Sequence, residues 1–210
     1  MTPNFTILTQ EKEEAMSVSN FEEAKENVRG LLAYMGEDVL REGLLDTPRR
    51  VVEMYDELTQ GYNEDPLAII NKAIFQEGRD ELVVVRDIPF YSLCEHHLAP
   101  FFGTATIGYI PHLGRVVGLS KLARVLDAYS RRLQVQERLG TQIATALYES
   151  DLKPLGVGVY LQAEHFCMAM RGVQKPGTST VTNTTLGWLG YQKDSVNHFR
   201  EEWMQVVSGR

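Results

Sequence analysis

Apolar residues recur at three- and four-residue steps at Phe21, Ala24, Val28, Leu31, Leu32 and Met35. That spacing lines one face of a helix. Asn20 stands where a side-chain oxygen caps its start, and Gly36 ends it. Thr47-Pro48 opens a second helix, a capping residue followed by proline at the first helical position. It runs through Val51, Val52, Met54, Tyr55 and Leu58 to Gly61. Asp65-Pro66 announces a short third helix carrying Leu67, Ile69 and Ile70. Residues 1–19 show no useful periodicity and read as a mobile tail.

The texture then changes. Leu82 to Phe90 is β-branched and too short for a separate helix, which predicts a strand. Phe102 to Ile110 predicts a second, followed by a turn at Pro111-His112-Leu113-Gly114. Two helices come next, about Ser120–Arg131 and Val135–Glu149, with Lys153-Pro154 closing the latter. Leu155 to Ala163 alternates Val157, Val159 and Leu161, a third strand; a fourth is expected from near Phe166 to about Val173. Residues 174–190 are rich in Gly and Thr and read as a loop, with Thr180-Val181-Thr182 able to pair at an edge. Val196, Phe199, Trp203 and Val206 predict a final amphipathic helix. Strands in adjacent pairs imply hairpins, so the fold class is α+β: a mainly antiparallel sheet with helices on one face and an N-terminal helical extension. The expected division is a tail at 1–19, a helical region at 20–75 and a catalytic domain at 76–210.

Composition excludes several classes. The chain has 210 residues, 43% hydrophobic and 23% charged, as in an ordinary globular protein. No apolar run approaches the roughly 20 residues of a membrane span. The N-terminus is polar (Glu11, Lys12, Glu13, Glu14) and lacks the apolar centre of a signal peptide, so a cytoplasmic location is expected. With 21 Lys and Arg against 28 Asp and Glu, the net charge of −7 argues against nucleic acid as a partner. An anionic ligand must then be held by a local basic cluster.

There are two cysteines, Cys94 and Cys167. A disulfide is not expected in a cytoplasmic protein, and buried free thiols are the plain reading until the neighbours are considered. Those neighbours point to a metal. Both cysteines and three of the five histidines fall in Ser92-Leu93-Cys94-Glu95-His96-His97 and Glu164-His165-Phe166-Cys167. Cys94 and His97, separated by two residues, suit two ligands on one turn, and Cys167 supplies a third if the strands lie side by side. Two sulfurs and a nitrogen fit Zn²⁺, and three protein ligands leave a fourth position for water. His96, His165 or Glu95 as a fourth ligand would instead close a structural site. Two thiolates neutralise the dication, so its water is less acidified than at a three-histidine site with a water pKa of about 7. A nearby base is then needed, and His165 and His96 are the candidates.

Gly118-Leu119-Ser120-Lys121-Leu122-Ala123-Arg124 opens a helix with Lys121 and Arg124 on one face of its first turns. Cations there oppose the helix dipole, which implies an anion beside them, with Ser120 as a further donor. Arg171, followed by Lys175-Pro176-Gly177, and Arg50 supply basic groups from two other segments. Each alone reads as a solvated charge; together they suggest a polyphosphate. Gln136-Glu137 on the next helix can serve a different end of the ligand, and a carboxylate there suits the N1–H and 2-amino edge of guanine.

Taken together, Cys94-Glu95-His96-His97, Gly118-Leu119-Ser120-Lys121 with Arg124, Gln134-Val135-Gln136-Glu137-Arg138-Leu139, His165-Phe166-Cys167-Met168 and Met170-Arg171-Gly172-Val173 resemble the motifs of GTP cyclohydrolase I. Thr47-Pro48-Arg49-Arg50-Val51 and Gly61-Tyr62 fit as well, so the resemblance spans about residues 20–208. It implies a tunnelling fold (T-fold) and a homodecamer of two stacked pentameric rings with active sites between subunits. The implied reaction converts GTP and water to 7,8-dihydroneopterin triphosphate and formate, the entry to pterin- and folate-type biosynthesis. By motif, Cys94, His97 and Cys167 match the zinc ligands, and His96 and His165 the acid–base pair around C8 and N7. Gln136 and Glu137 match the guanine-reading pair; Ser120, Lys121, Arg124, Arg171 and Arg50 match the phosphate and ribose contacts, with Ser120 also a proton relay. Thr178 and Asn183 stand where the family more often has serine. The short N-terminal extension does not indicate regulation through a long tail. Three alternatives remain at this point: a relative that stops at the ring-opened formamide, a zinc-stabilised binding protein on the same fold, and a T-fold enzyme acting on another purine or a pterin.

Overall fold

The computed structural model describes residues 20–78, 80–190 and 197–209; the expected tail at 1–19 and Val196 lie outside them. The chain divides into two compact units, one up to Glu57 and one from Leu58. In the first, helix α1 (Phe21–Tyr34) begins as expected: the Asn20 side chain accepts from the Glu23 amide at 2.9 Å. A 3₁₀ turn (Glu42–Leu44) leads to α2 (Thr47–Leu58), which runs to the boundary. In the second unit, α3 (Pro66–Asn71) is capped by Asp65 on the Ala68 amide, and its Ile70 is wholly buried in that unit's core.

Two sheets follow. A small antiparallel ladder joins β1 (Ile74–Gln76) to β4 (Arg115–Val117). The main sheet contains β2 (Val83–Cys94), β3 (Pro100–Ile110), β5 (Leu133–Gln134), β6 (Gly156–His165) and β7 (Ser179–Gly187), in the order β5-β2-β3-β6-β7. Every pairing is antiparallel except the two-residue contact of β5 with β2.

One expected element is corrected. The fourth strand is not at 166–173: a single helical turn, α6 (Phe166–Ala169), stands there, and the strand is β7, in the Thr-rich stretch read as a loop. It pairs with β6 at nine positions, five of them β-branched residues, and that pairing outweighs the loop-like composition.

Helices α4 (Leu119–Ser130) and α5 (Gln136–Glu149) pack on one face of the sheet. Ile107, Tyr109, Val157, Val159 and Leu161 from the strands meet Leu122, Leu126, Leu139, Ile143 and Leu147 from these helices, all fully buried. Alternate strand residues face the other way. There α7 (Asn197–Ser208) seats Trp203 over Gly108 and Gly158, where a side chain would collide with the indole. No helix of the described residues is long and apolar enough to cross a membrane.

Candidate metal centre and its surroundings

Sheet register gathers the chemistry at one end. Leu93 pairs with Pro100 at the last rung of β2 and β3, Phe101 pairs with His165 where β6 stops, and Cys94 pairs with Gln134 just before α5. The turn after Cys94 is tight: the amides of His97 and Leu98 both donate to the Cys94 carbonyl, and Leu98 takes a positive φ of 53°. The short helix after His165 turns Cys167 back toward this point. As a result the ligand atoms of Cys94, His97 and Cys167 lie within 4.8 Å of one another.

Both cysteines are free. Burial, then the neighbouring Cys94 thiol, pushes the Cys167 thiol up, while Arg171 pulls the other way. A bound dication would relieve that penalty by favouring the thiolates. Two sulfurs and an imidazole nitrogen in a patch of this size fit zinc, which sits about 2.3 Å from sulfur and about 2.0 Å from nitrogen. His96 stays outside the set of three. Its Nδ1 lies 3.7 Å from Cys94 Sγ, and its side chain is 60% exposed.

His165 is held differently. Its ring stacks on Phe101, centroids 4.5 Å apart and planes within 3°. Its Nε2 is 2.8 Å from Gln136 Oε1. Burial lowers its basicity, and the Glu137 carboxylate partly offsets this. Gln136, expected to read guanine, is itself only 1% exposed. Its amide is committed within the chain to His165, the Leu161 and Thr180 carbonyls and the Thr182 hydroxyl. Glu137, the next residue, is exposed and holds no ion pair among the described residues.

The basic groups stand on separate elements. Arg171 is exposed and near enough to Cys167 to act on its thiol. Ser120, Lys121 and Arg124 occupy the first turns of α4 and make no hydrogen bond or ion pair with the metal ligands among the described residues. Arg124 lines a separate recess of about 300 Å³ with Gln60, Glu64, Asp127 and Arg131. Arg50, in the first unit, pairs with Asp46 at 3.4 Å.

Two contacts were not foreseen from the sequence. The Phe101 stack has no local signal, because its partner is far along the chain. The Glu95–Arg138 ion pair joins the metal turn to α5; Arg138 stands inside a quoted motif without an assigned role, and Glu95 was weighed only as a fourth ligand.

A profile of the GTP cyclohydrolase I family matches residues 24–206. The chain is 49% identical over 193 residues to the GTP cyclohydrolase 1 of Streptococcus suis (strain 05ZYH33), covering 92% of this chain and all of that one. It is 52% identical over 174 residues to the GTP cyclohydrolase 1 of Bacillus cytotoxicus, covering 83% of this chain and 91% of the relative. A crystal structure titled as the archaeosine synthase QueF-Like in the apo form is similar at a TM-score of 0.41 and 18% identity, over 52% of this chain and 96% of its own. With a family match across most of its length and relatives near half identical, the chain belongs to the GTP cyclohydrolase I family.

Proposed function

We propose that this chain is a cytoplasmic enzyme that hydrolyses and rearranges GTP to 7,8-dihydroneopterin triphosphate and formate, with zinc at Cys94, His97 and Cys167. The observation that carries the reading is the meeting of those three ligand atoms within 4.8 Å at the sheet end that also carries a restrained His165. A zinc ion held there would supply Lewis acidity and make a water easier to deprotonate.

The chain's own groups do the rest. His165, whose basicity burial lowers, takes the proton of the water that adds to C8. His96, exposed beside Cys94, gives a proton to N7. The imidazole ring of the base opens to a formamide, and a second hydrolysis releases C8 as formate. The ribose then opens, rearranges to a ketose and condenses with the freed amine. Two waters enter and one leaves, so the sum is GTP plus one water. Ser120 relays a proton in the rearrangement, and Glu137 accepts from the N1–H and 2-amino edge of guanine. Lys121, Arg124, Arg171 and Arg50 hold the triphosphate and ribose, which keeps the intermediate in place between steps.

Ser120, Lys121 and Arg124 make no hydrogen bond or ion pair with the metal ligands among the described residues, and we take the site to be completed by a second copy. We take the assembly to be a homodecamer of two pentameric rings. The test is incubation with GTP, followed by assay of formate and of the fluorescent oxidised pterin. Equal yields of both, lost together in Cys167→Ser, are expected. Accumulation of the formamide, or formate without pterin, would overturn the full reaction.

A further inference from the structure

Gln136 is nearly inaccessible, at 1% exposure, so its polar atoms answer to the protein. One end of the amide faces the Leu161 carbonyl at 3.2 Å, the Thr180 carbonyl at 3.0 Å and the Thr182 hydroxyl at 3.3 Å. Carbonyl oxygens only accept, so the amide atom facing them must be the NH₂ nitrogen. This settles an assignment that heavy-atom positions alone leave open. The other end is therefore the carbonyl oxygen, which also only accepts, and it lies 2.8 Å from His165 Nε2. The proton in that hydrogen bond must then belong to His165.

We propose that Gln136 is a positioning residue for His165. It fixes the neutral imidazole as the Nε2–H tautomer and leaves Nδ1 as the ring's single basic atom. This inference rests on the reading of His165 as the proton acceptor of the reaction. Two further restraints make the placement rigid: Phe101 stacks flat on the ring, and the β3–β6 register pairs Phe101 with His165. The β6 and β7 carbonyls that hold the Gln136 nitrogen thus select, through one side chain, which nitrogen of His165 is free to accept a proton. A buried residue that orients a functional imidazole through its second nitrogen does the same at metal-ligating histidines.

The inference separates from the guanine-contact role implied by the motif. Gln136→Met keeps length and volume but removes both hydrogen-bonding ends. It should lower kcat roughly 10–100-fold while KM, the Kd for GTP and zinc content stay at wild-type values. A guanine-reading Gln136 would raise KM and Kd with kcat little changed, and that outcome overturns the proposal.

A second measurement does not depend on turnover. In the zinc-loaded assembly labelled with ¹⁵N-histidine, solid-state NMR reads which ring nitrogen carries the proton, with the His165 signals assigned by their loss in His165→Ala. The wild-type protein should show protonated Nε2 and bare Nδ1, and Gln136→Met should show a mixture. A bare Nε2 in the wild type overturns the inference whether or not the variant folds. A variant that loses stability but keeps the wild-type tautomer reduces Gln136 to packing and overturns it as well. If the wild type makes no pterin from GTP, the proposed reaction fails, yet the NMR comparison still decides the tautomer.

Discussion

Arg138 holds Glu95 with both arms of its guanidinium, at 2.5 Å and 2.9 Å from the two carboxylate oxygens. Glu95 immediately follows a candidate metal ligand, and Arg138 lies on the first turn of α5 two residues past Gln136. The pair therefore ties the metal turn to the helix that restrains His165. Exposed ion pairs contribute little to global stability, so its effect should be local. Arg138→Ala should speed zinc loss to a chelator, and Arg138→Lys should restore little, because an ammonium cannot match the two-point geometry. Arg138 holds the Glu95 carboxyl below its ordinary range. The tie is thus intact above the usual carboxylate pKa and is lost only as pH falls through the lowered one. Identical chelation rates in wild type and Arg138→Ala would show that the pair is incidental.

The metal reading makes its own demand. Purified protein should carry about one zinc per chain, and Cys167→Ser should lose it. Metal uptake by the apoprotein should release protons, since the Cys167 thiol is pushed up by burial and by Cys94. Affinity should therefore fall as pH falls. Calorimetry in buffers of different ionisation enthalpy measures the proton count, and full zinc occupancy in Cys167→Ser would remove that residue from the ligand set.

The elements legible in the sequence were those with a local cause. Asn20 and Asp65 announce their helices because a capping oxygen needs only the amide three residues on. The long strands follow from β-branched content and, at Leu155–Ala163, from alternation. Cys94, His97 and Cys167 were legible because few roles bring two cysteines into the company of three histidines. What the sequence concealed depends on distant partners. The strand expected at 166–173 is a helical turn, and it is this turn that brings Cys167 within reach of Cys94. Strand β7 lies in a Thr-rich stretch and is settled by its pairing with β6. Gln136 was expected to read guanine, and its commitment within the chain was hidden because its acceptors, Leu161 and Thr180, are far along the chain.

Trp203 tests the second layer of the fold. A Cβ added at Gly158 would lie 2.6 Å from the indole, and one at Gly108 would lie 2.8 Å away. Gly158→Ala should force α7 or the indole to shift and cost about 1–3 kcal/mol, the usual range for overpacking. A lowered melting temperature with a changed tryptophan emission is expected. An unchanged melt would mean that the last helix adapts freely.

The basic groups should act through charge. Lys121→Ala and Arg171→Ala should each weaken GTP binding, and the loss should be larger at low salt than at high salt, because exposed attractions are screened over about 10 Å at 0.1 M. Arg171 is near enough to Cys167 to act on its thiol, whereas Lys121 stands on a different element, α4. If a second copy completes the site, letting the two weakened variants exchange subunits should restore part of the GTP binding, as some sites would then carry both native residues. Wild-type GTP affinity in both variants would return these cations to the solvated surface.

His96 and His165 distinguish an enzyme from a metal-stabilised scaffold. Both are proposed to move protons without holding zinc, and neither belongs to the set of three ligand atoms. Each change to Ala should leave zinc content and assembly size at wild-type values while lowering turnover roughly 10²–10⁴-fold, the usual worth of a positioned acid or base. Their pH behaviour should differ. Burial lowers the basicity of His165, and a cation at the adjacent ligands would push in the same direction. The wild-type enzyme should therefore keep its base unprotonated somewhat below the ordinary histidine range, placing the acidic limb of kcat/KM there. His165→Ala should remove that limb, leaving a residual rate that rises with hydroxide. His96→Ala should keep the limb and lose rate across it, because His96 is needed in its protonated form to supply N7. Loss of zinc from either variant would make that histidine a fourth ligand, closing the position that water must occupy and returning the site to a structural role.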